Sequence, residues 1–266
     1  MTSDASANAP PTLPSLLLTG TGTSMGVPMV GCTCDVCRST DPKNHRTRTG
    51  VVIQTGQGNL LIDTSQELRL QLVRADVLDI EGVVYTHAHA DHILGIDDLR
   101  IFGFKKKAAI PLYCEEAVEA TVRQTFSYAF CDGATLHSKP RLEFRRISTT
   151  PFDACGVTIT PVRLIHGKLP ILGFRVNNVA FCTDVSEIPD ESRKQLQDLD
   201  VLILGAIRDE PHPTHFNIEQ ALEAISDLRP RKAYLTHISH TLDHEATNRR
   251  LPDHVELAYD GLRVML

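Results

Sequence analysis

Tryptophan is absent from this chain, and aromatic residues make up only 5% of it. Proteins that grip single-stranded nucleic acid stack its bases on aromatic rings, so this scarcity argues against such a platform. A basic surplus is missing too. The 33 acidic residues outnumber 27 basic ones, for a net charge of −6. That balance argues against extended nucleic acid as a partner, because sequence-independent binding depends on lysine and arginine at the phosphates. It leaves room for a small anion drawn to a local metal site. No hydrophobic run approaches the roughly 20 residues that span a bilayer, and no membrane partner is expected. Residues 1–15 have neither a basic start nor an apolar stretch. They read as a disordered tail and not as a secretory signal. The 7 cysteines are odd in number and three of them crowd together, which is not the pattern of a disulfide framework. A reducing cytoplasm is the expected compartment. At 42% hydrophobic, residues 16–266 suffice for one large domain burying roughly three quarters of its unfolded surface.

What is present is concentrated after the apolar run Gly82-Val83-Val84-Tyr85. There Thr86-His87-Ala88-His89-Ala90-Asp91-His92 packs three histidines and an aspartate into six consecutive positions. The apolar, β-branched run reads as a buried strand, so the cluster sits where a strand gives way to a loop. Rigid strand ends present side chains without burying unpaired polar groups. Imidazole and carboxylate are ligands of Zn, Mn and Fe. One ion needs three or four protein ligands; the cluster offers four and more lie downstream, which points to two ions.

Elsewhere, residues 16–18, 51–54, 59–62, 110–114, 141–147, 156–164, 173–176, 179–182, 200–204 and 232–235 read as strands. Residues 67–74, 115–126, 218–228 and 243–250 read as helices. Two short strands are expected around Asp260-Gly261. The strand-like runs before His166, Asp184 and His237 each end in a potential ligand, and the element order implies two βα halves. Asp63 follows another strand and reads as a helix cap or an orienter of a metal ligand. His45, Arg46 and Arg48 read as solvated charges, with the edge of an anion pocket as the alternative. The glycine-rich stretch 19–28 reads as a tight turn; no clear helix follows it, which excludes a dinucleotide-binding fingerprint. Cys32, Cys34 and Cys37 can converge on one tetrahedral zinc that needs a fourth ligand from elsewhere. The other cysteines, Cys114, Cys131, Cys155 and Cys182, read as small buried hydrophobes. His45, His137, His212, His244 and His254 read as surface residues.

The spacing H-x-H-x-D-H, followed in order by His166, Asp184 and His237, resembles the metallo-β-lactamase superfamily. The resemblance implies an α/β fold, a four-layer αβ/βα sandwich. It implies that His87, His89 and His166 ligate one metal, that Asp91, His92 and His237 ligate a second, and that Asp184 bridges them. A narrower resemblance rests on Gly20-Thr21-Gly22-Thr23-Ser24, Gly26-Val27-Pro28 and Cys32-x-Cys34-x-x-Cys37. These are similar to the PhnP-type phosphodiesterases, and the likeness runs over residues 16–262. It implies a structural zinc completed by His240, and a substrate-directed role for His215 within Thr214-His215-Phe216-Asn217. The implied cofactors are two divalent ions, Mn or Zn, and one structural Zn. The implied reaction is hydrolysis of a small phosphodiester by a metal-bridging hydroxide, with Asp184 and Asp91 holding the ions and His215 assisting. Candidate substrates are 5-phosphoribosyl 1,2-cyclic phosphate and a 2′,3′-cyclic nucleotide, and a homodimer suits the family. Alternatives on the same scaffold are a thioesterase, which leaves the cysteines without a role, and an RNA-processing nuclease, for which a basic arm is lacking. A non-hydrolytic accessory protein of the PqqB type is a further alternative, and the complete ligand set argues against it.

Overall fold

The computed structural model describes residues 14–131 and 139–266. Of the tail expected at residues 1–15, residues 1–13 lie outside them, as does His137, whereas Ser15 opens the first strand. In chain order the first strands are β1 (Ser15–Gly20), β2 (Gly50–Thr55), β3 (Gly58–Ile62), β4 (Gly82–Val84), β5 (Ile110–Cys114) and β6 (Leu142–Arg146). There follow β7 (Phe152–Ala154), β8 (Val157–His166), β9 (Leu169–Val176), β10 (Val179–Cys182), β11 (Val201–Gly205), β12 (Lys232–Thr236), β13 (Val255–Leu257) and β14 (Arg263–Met265). The α-helices are α1 (Leu68–Arg74), α2 (Ala90–Ile93), α3 (Arg100–Lys106), α4 (Glu116–Thr125), α5 (Ser127–Phe130), α6 (Asp190–Gln195), α7 (Ile218–Leu228) and α8 (His244–Asn248).

The strands form two sheets of seven, β14-β1-β2-β3-β4-β5-β6 and β13-β12-β11-β10-β9-β8-β7. Each sheet carries the same pairing pattern. Strands β14 to β3 and β7 to β10 pair antiparallel. Strands β3 to β6 and β10 to β13 pair parallel. The two halves expected from the element order are present in this pattern. The two closing strands do not pair with each other as a hairpin. Instead β13 edges the second sheet and β14 crosses back to edge the first.

Alternation along the strands explains the layering. Successive side chains point to opposite faces. Leu16, Leu18 and Ile53 therefore face inward, onto Phe174, Phe181 and Ile203 of the second sheet. Leu17 and Val52 face outward, in one cluster with Leu72 of α1, Phe102 of α3 and Val122 of α4. On the other side Ala221, Ile225 and Leu228 of α7 pack with Leu202, Leu204 and Leu235. Both faces of each sheet are covered, so the central strands read as continuous apolar runs. The result is the αβ/βα sandwich. Helix α7 starts where Asn217 and Gln220 form a reciprocal capping box, which satisfies backbone donors that the first turn leaves open.

Several sequence-based expectations change. The strand expected from residue 156 closes at His166 and turns at Gly167-Lys168 into β9, which begins at Leu169 and not at the expected residue 173, so the two form a long hairpin. Residues 152–154 and 190–195 hold a strand and a helix that were not expected. Arg46 is not solvated: it is 1% exposed. Its guanidinium donates to the Ser239 carbonyl and to Asn44 Oδ1, and burial pulls its pKa down to about 10, still charged at neutral pH. His244 is buried beside Tyr259 in place of the expected surface setting. Cys131 is exposed just past the end of α5, and Cys155 is half-buried where the chain leaves β7 for a turn.

Candidate metal centre

The ends of β4, β8, β10 and β12 converge at one edge of the sandwich. They bring His87, His89 and His166 together in one group and Asp91, His92, Asp184 and His237 in a second. Asp63, Asp184 and His237, each just past a strand, have left-handed backbones with φ of 62°, 56° and 58°. For aspartate and histidine that conformation costs on the order of 1 kcal/mol or more, and it re-aims the side chain away from the strand direction.

The imidazoles are pre-set by partners behind them. His92 Nδ1 donates to buried Asp63 Oδ2 at 2.7 Å. Thr86 Oγ1 donates to the same oxygen at 2.8 Å, so it accepts from His87 Nδ1 at 2.9 Å. His166 Nδ1 donates to the Thr214 carbonyl at 2.6 Å. Thr49 Oγ1 lies 3.0 Å from His237 Nδ1 and 3.4 Å from the Gly22 carbonyl, to which it donates. In each ring the outer nitrogen is a donor, which turns Nε2 toward the other ligand groups. His87 Nε2, His92 Nε2 and Asp91 Oδ2 are buried with no hydrogen-bond partner. Unpartnered buried polar atoms are costly, and three that converge fit a bound cation. Asp184 stands between the groups. Its Oδ2 faces His87 Nε2 at 3.9 Å, and its Oδ1 lies 3.4 Å from His92 Nε2 and 3.3 Å from His237 Nδ1.

The electrostatics fit the same ligand set. Burial alone would raise the Asp184 carboxyl, but His237 and His92 hold it well below the ordinary carboxylate range. Burial also opposes charge on His92, yet the carboxylates of Asp184, Asp63 and Asp91 outweigh it and hold its pKa well above the usual value. In His87 burial wins, helped by His92, and the ring is held neutral. The neutral His87 ring beside ionised Asp184 is the form that binds a divalent metal, and an ion at His92 would displace the proton that its three carboxylates hold there. Replacing Asp63 with alanine removes the acceptor that orients both His92 and Thr86. The expected outcome is a roughly 10–100-fold weaker hold on active-site metal, read by competition with a chelator.

His215 lies over the two groups, with its ring 4.5 Å from His166 and 4.8 Å from His237. Burial and then the neighbouring His237 depress its pKa to about 3. His212, expected on the surface, lies tilted beside His215, with ring centroids 4.9 Å apart. The hint available in the sequence was its place between Pro211 and Pro213, which stiffen the turn leading to His215. Thr49, Thr86 and Thr214, which hold the ligand rings, gave no hint.

At a second site Cys32, Cys34, Cys37 and His240 come within one ligand set. His240 Nδ1 is 3.4 Å from the sulfurs of both Cys32 and Cys34. The bond from His240 lowers the Cys34 thiol to about 6, whereas burial raises Cys37 to about 11. Three sulfurs and one nitrogen match a tetrahedral zinc donor set. The two sites are linked through backbone: Ile238, between His237 and His240, pairs with Thr21 and Thr23 of the glycine-rich stretch.

Residues 58–238 match the beta-lactamase superfamily domain. A structure described as a new diphosphatase from the PhnP family superimposes with a TM-score of 0.89 at 40% identity, covering 95% of this chain and 97% of that one. The octanoyltransferase of Porphyromonas gingivalis is 36% identical over 254 residues, 94% of this chain, and the chain spans 51% of that protein's length. Zinc-bound PqqB from Methylobacterium extorquens shares the fold, with a TM-score of 0.77 at 16% identity over 95% of this chain and 100% of that one. The chain therefore belongs to the metallo-β-lactamase superfamily and, within it, to the PhnP family. Its architecture is that of a metallo-β-lactamase-fold hydrolase. No helix among the described residues is long and apolar enough to cross a membrane.

Proposed function

We propose that this chain hydrolyses a phosphorus centre substituted on two oxygens, as in a cyclic phosphodiester or a diphosphate diester, with two divalent ions. The observation that carries this reading is Asp184, whose two oxygens face two separate sets of metal-binding donors. His87, His89 and His166 would hold one ion, Asp91, His92 and His237 the other, and Asp184 both. When bound, such ions supply Lewis acidity, acidifying water and drawing charge from phosphate oxygens.

The protein's own groups supply orientation. Asp63, Thr86, Thr214 and Thr49 fix the rings of His92, His87, His166 and His237. His215 is neutral at physiological pH, so its contribution is a hydrogen bond donated to a phosphoryl oxygen and not delivery of a proton from an imidazolium. Cys32, Cys34, Cys37 and His240 would hold a structural zinc that pins the loop carrying them. Free thiols at every described cysteine accord with a reducing compartment, and we place the enzyme in the cytoplasm. A phosphodiester substrate is what the resemblance to the PhnP-type phosphodiesterases implies. A diphosphate is favoured by the PhnP-family diphosphatase at 40% identity. This chain spans only 51% of the P. gingivalis octanoyltransferase, and octanoyl transfer is not part of the reading proposed for it.

The test compares Mn- or Zn-loaded protein with metal-stripped protein on 5-phosphoribosyl 1,2-cyclic phosphate, a 2′,3′-cyclic nucleotide and ADP-ribose. Turnover of at least one at about 1 per second or faster, lost on stripping and restored by metal, is expected. Full loading with no turnover on any of them contradicts the phosphohydrolase reading.

A further inference from the structure

His212 belongs to neither ligand set, yet it stands in line with both. From His166 and His237 the imidazoles lead outward through His215 to His212, with ring separations of 4.5 and 4.8 Å and then 4.9 Å. His212 is partly exposed, at the outer end of this series.

Its protonation is dictated by backbone. Thr214 N–H points at His212 Nδ1 from 3.3 Å. A backbone amide can only donate, so Nδ1 accepts, and the ring is a neutral tautomer with its hydrogen on Nε2. That hydrogen is a fixed donor at the outer end of this series of rings. The turn that carries it is rigid. Pro211 and Pro213 flank it, and the Arg208 guanidinium donates to the carbonyls of Glu210 and Pro211. The Thr214 carbonyl accepts from His166, and Thr214 packs against Gly167, where an added Cβ would meet it at 2.8 Å. One turn therefore fixes both a ligand of the proposed first ion and the outer donor.

Phosphoryl oxygens are pure acceptors, and a preset N–H matches them without reorganisation. The reacting phosphorus is already served by the ions and by His215. A donor one imidazole farther out serves a group beyond it. We propose that His212 binds a second phosphoryl group of the substrate, carried either directly on the first, as in a diphosphate, or through a ribose. This rests on the phosphohydrolase reading above and narrows its substrate class.

The test is kcat/KM for H212A and H212Q on ADP-ribose, 5-phosphoribosyl 1,2-cyclic phosphate and a 2′,3′-cyclic nucleotide that lacks a second phosphoryl group, with metal content measured in parallel. A lost hydrogen bond to a charged group corresponds to roughly 10–100-fold. The expected result is that H212A lowers kcat/KM on a substrate with a second phosphoryl group by at least about tenfold more than on the cyclic nucleotide, mainly through KM. H212Q, which keeps an N–H, recovers part of it. Loss on the ADP-ribose arm alone identifies the direct diphosphate, and loss on the phosphoribosyl arm alone identifies the ribose-linked group. Equal losses on all three substrates, or a fall in bound metal that accounts for the loss, overturn the inference and make His212 a prop for His166. Wild-type protein that turns over none of the three removes the underlying reading as well.

Discussion

Asp184→Asn is expected to lower turnover by at least about a thousandfold while leaving the protein folded. Asparagine is the informative substitution. It keeps the size of the side chain and tolerates the left-handed backbone, φ 56°, that alanine would occupy only under strain. What it removes is the charge that faces both donor sets, 3.9 Å from His87 on one oxygen and 3.4 Å from His92 on the other. A group serving two ions should cost more than one oxyanion donor, whose loss alone is worth about 100–1,000-fold. Metal content should fall in step with kcat. The melting temperature of metal-free protein should fall, because His237 and His92 hold the Asp184 carboxylate well below its ordinary range and that stabilisation is lost with the charge. Turnover and metal content at wild-type levels would remove Asp184 from the proposed bridge.

Cys34→Ser should act on stability first. The loop from Val27 to Arg46 has a small apolar cluster of its own, built on Val27, Val36 and Cys37. A zinc centre there can contribute on the order of 10 kcal/mol, so losing one thiolate should cost about 4 kcal/mol or more. In a domain of this size that lowers Tm by roughly 8–16 °C. Zinc content should drop by about one ion per chain. Activity should fall less steeply, and indirectly, because Ile238 ties His240 to His237 and both to Thr21 and Thr23. An unchanged Tm with unchanged zinc would leave the cysteines without the structural role assigned to them.

The sequence announced the site better than the supports behind it. His87, His89, Asp91 and His92 are adjacent in the chain, and His166, Asp184 and His237 each close an apolar run, so short-range pattern revealed where they would gather. Asp63 was legible for the same reason. Their partners were not: Thr49 reaches His237 across 188 positions and Thr214 reaches His166 across 48, and a threonine carries no signal of what its hydroxyl or carbonyl will meet. Arg46 read as solvated because charge usually is. Only the fold reveals Ser239 and Asn44 waiting for it. The same limit hid His244, whose partners Asn44 and Tyr259 lie elsewhere in the chain, and His212, whose neighbour His215 is placed by the distant His166 and His237. For the architecture, alternation and apolar runs gave the individual strands, while the pairing of β14 with β1 depends on a crossover that no local pattern encodes.

The central claim is that water attacks phosphorus at the paired donor sets. It is tested most directly by turnover of bis(p-nitrophenyl) phosphate in heavy-oxygen water, with metal-loaded wild-type protein beside Asp184→Asn. The account predicts one heavy oxygen in the p-nitrophenyl phosphate released by the wild type and almost no product from the variant. Heavy oxygen in the nitrophenol, or equal product from both proteins, would contradict it.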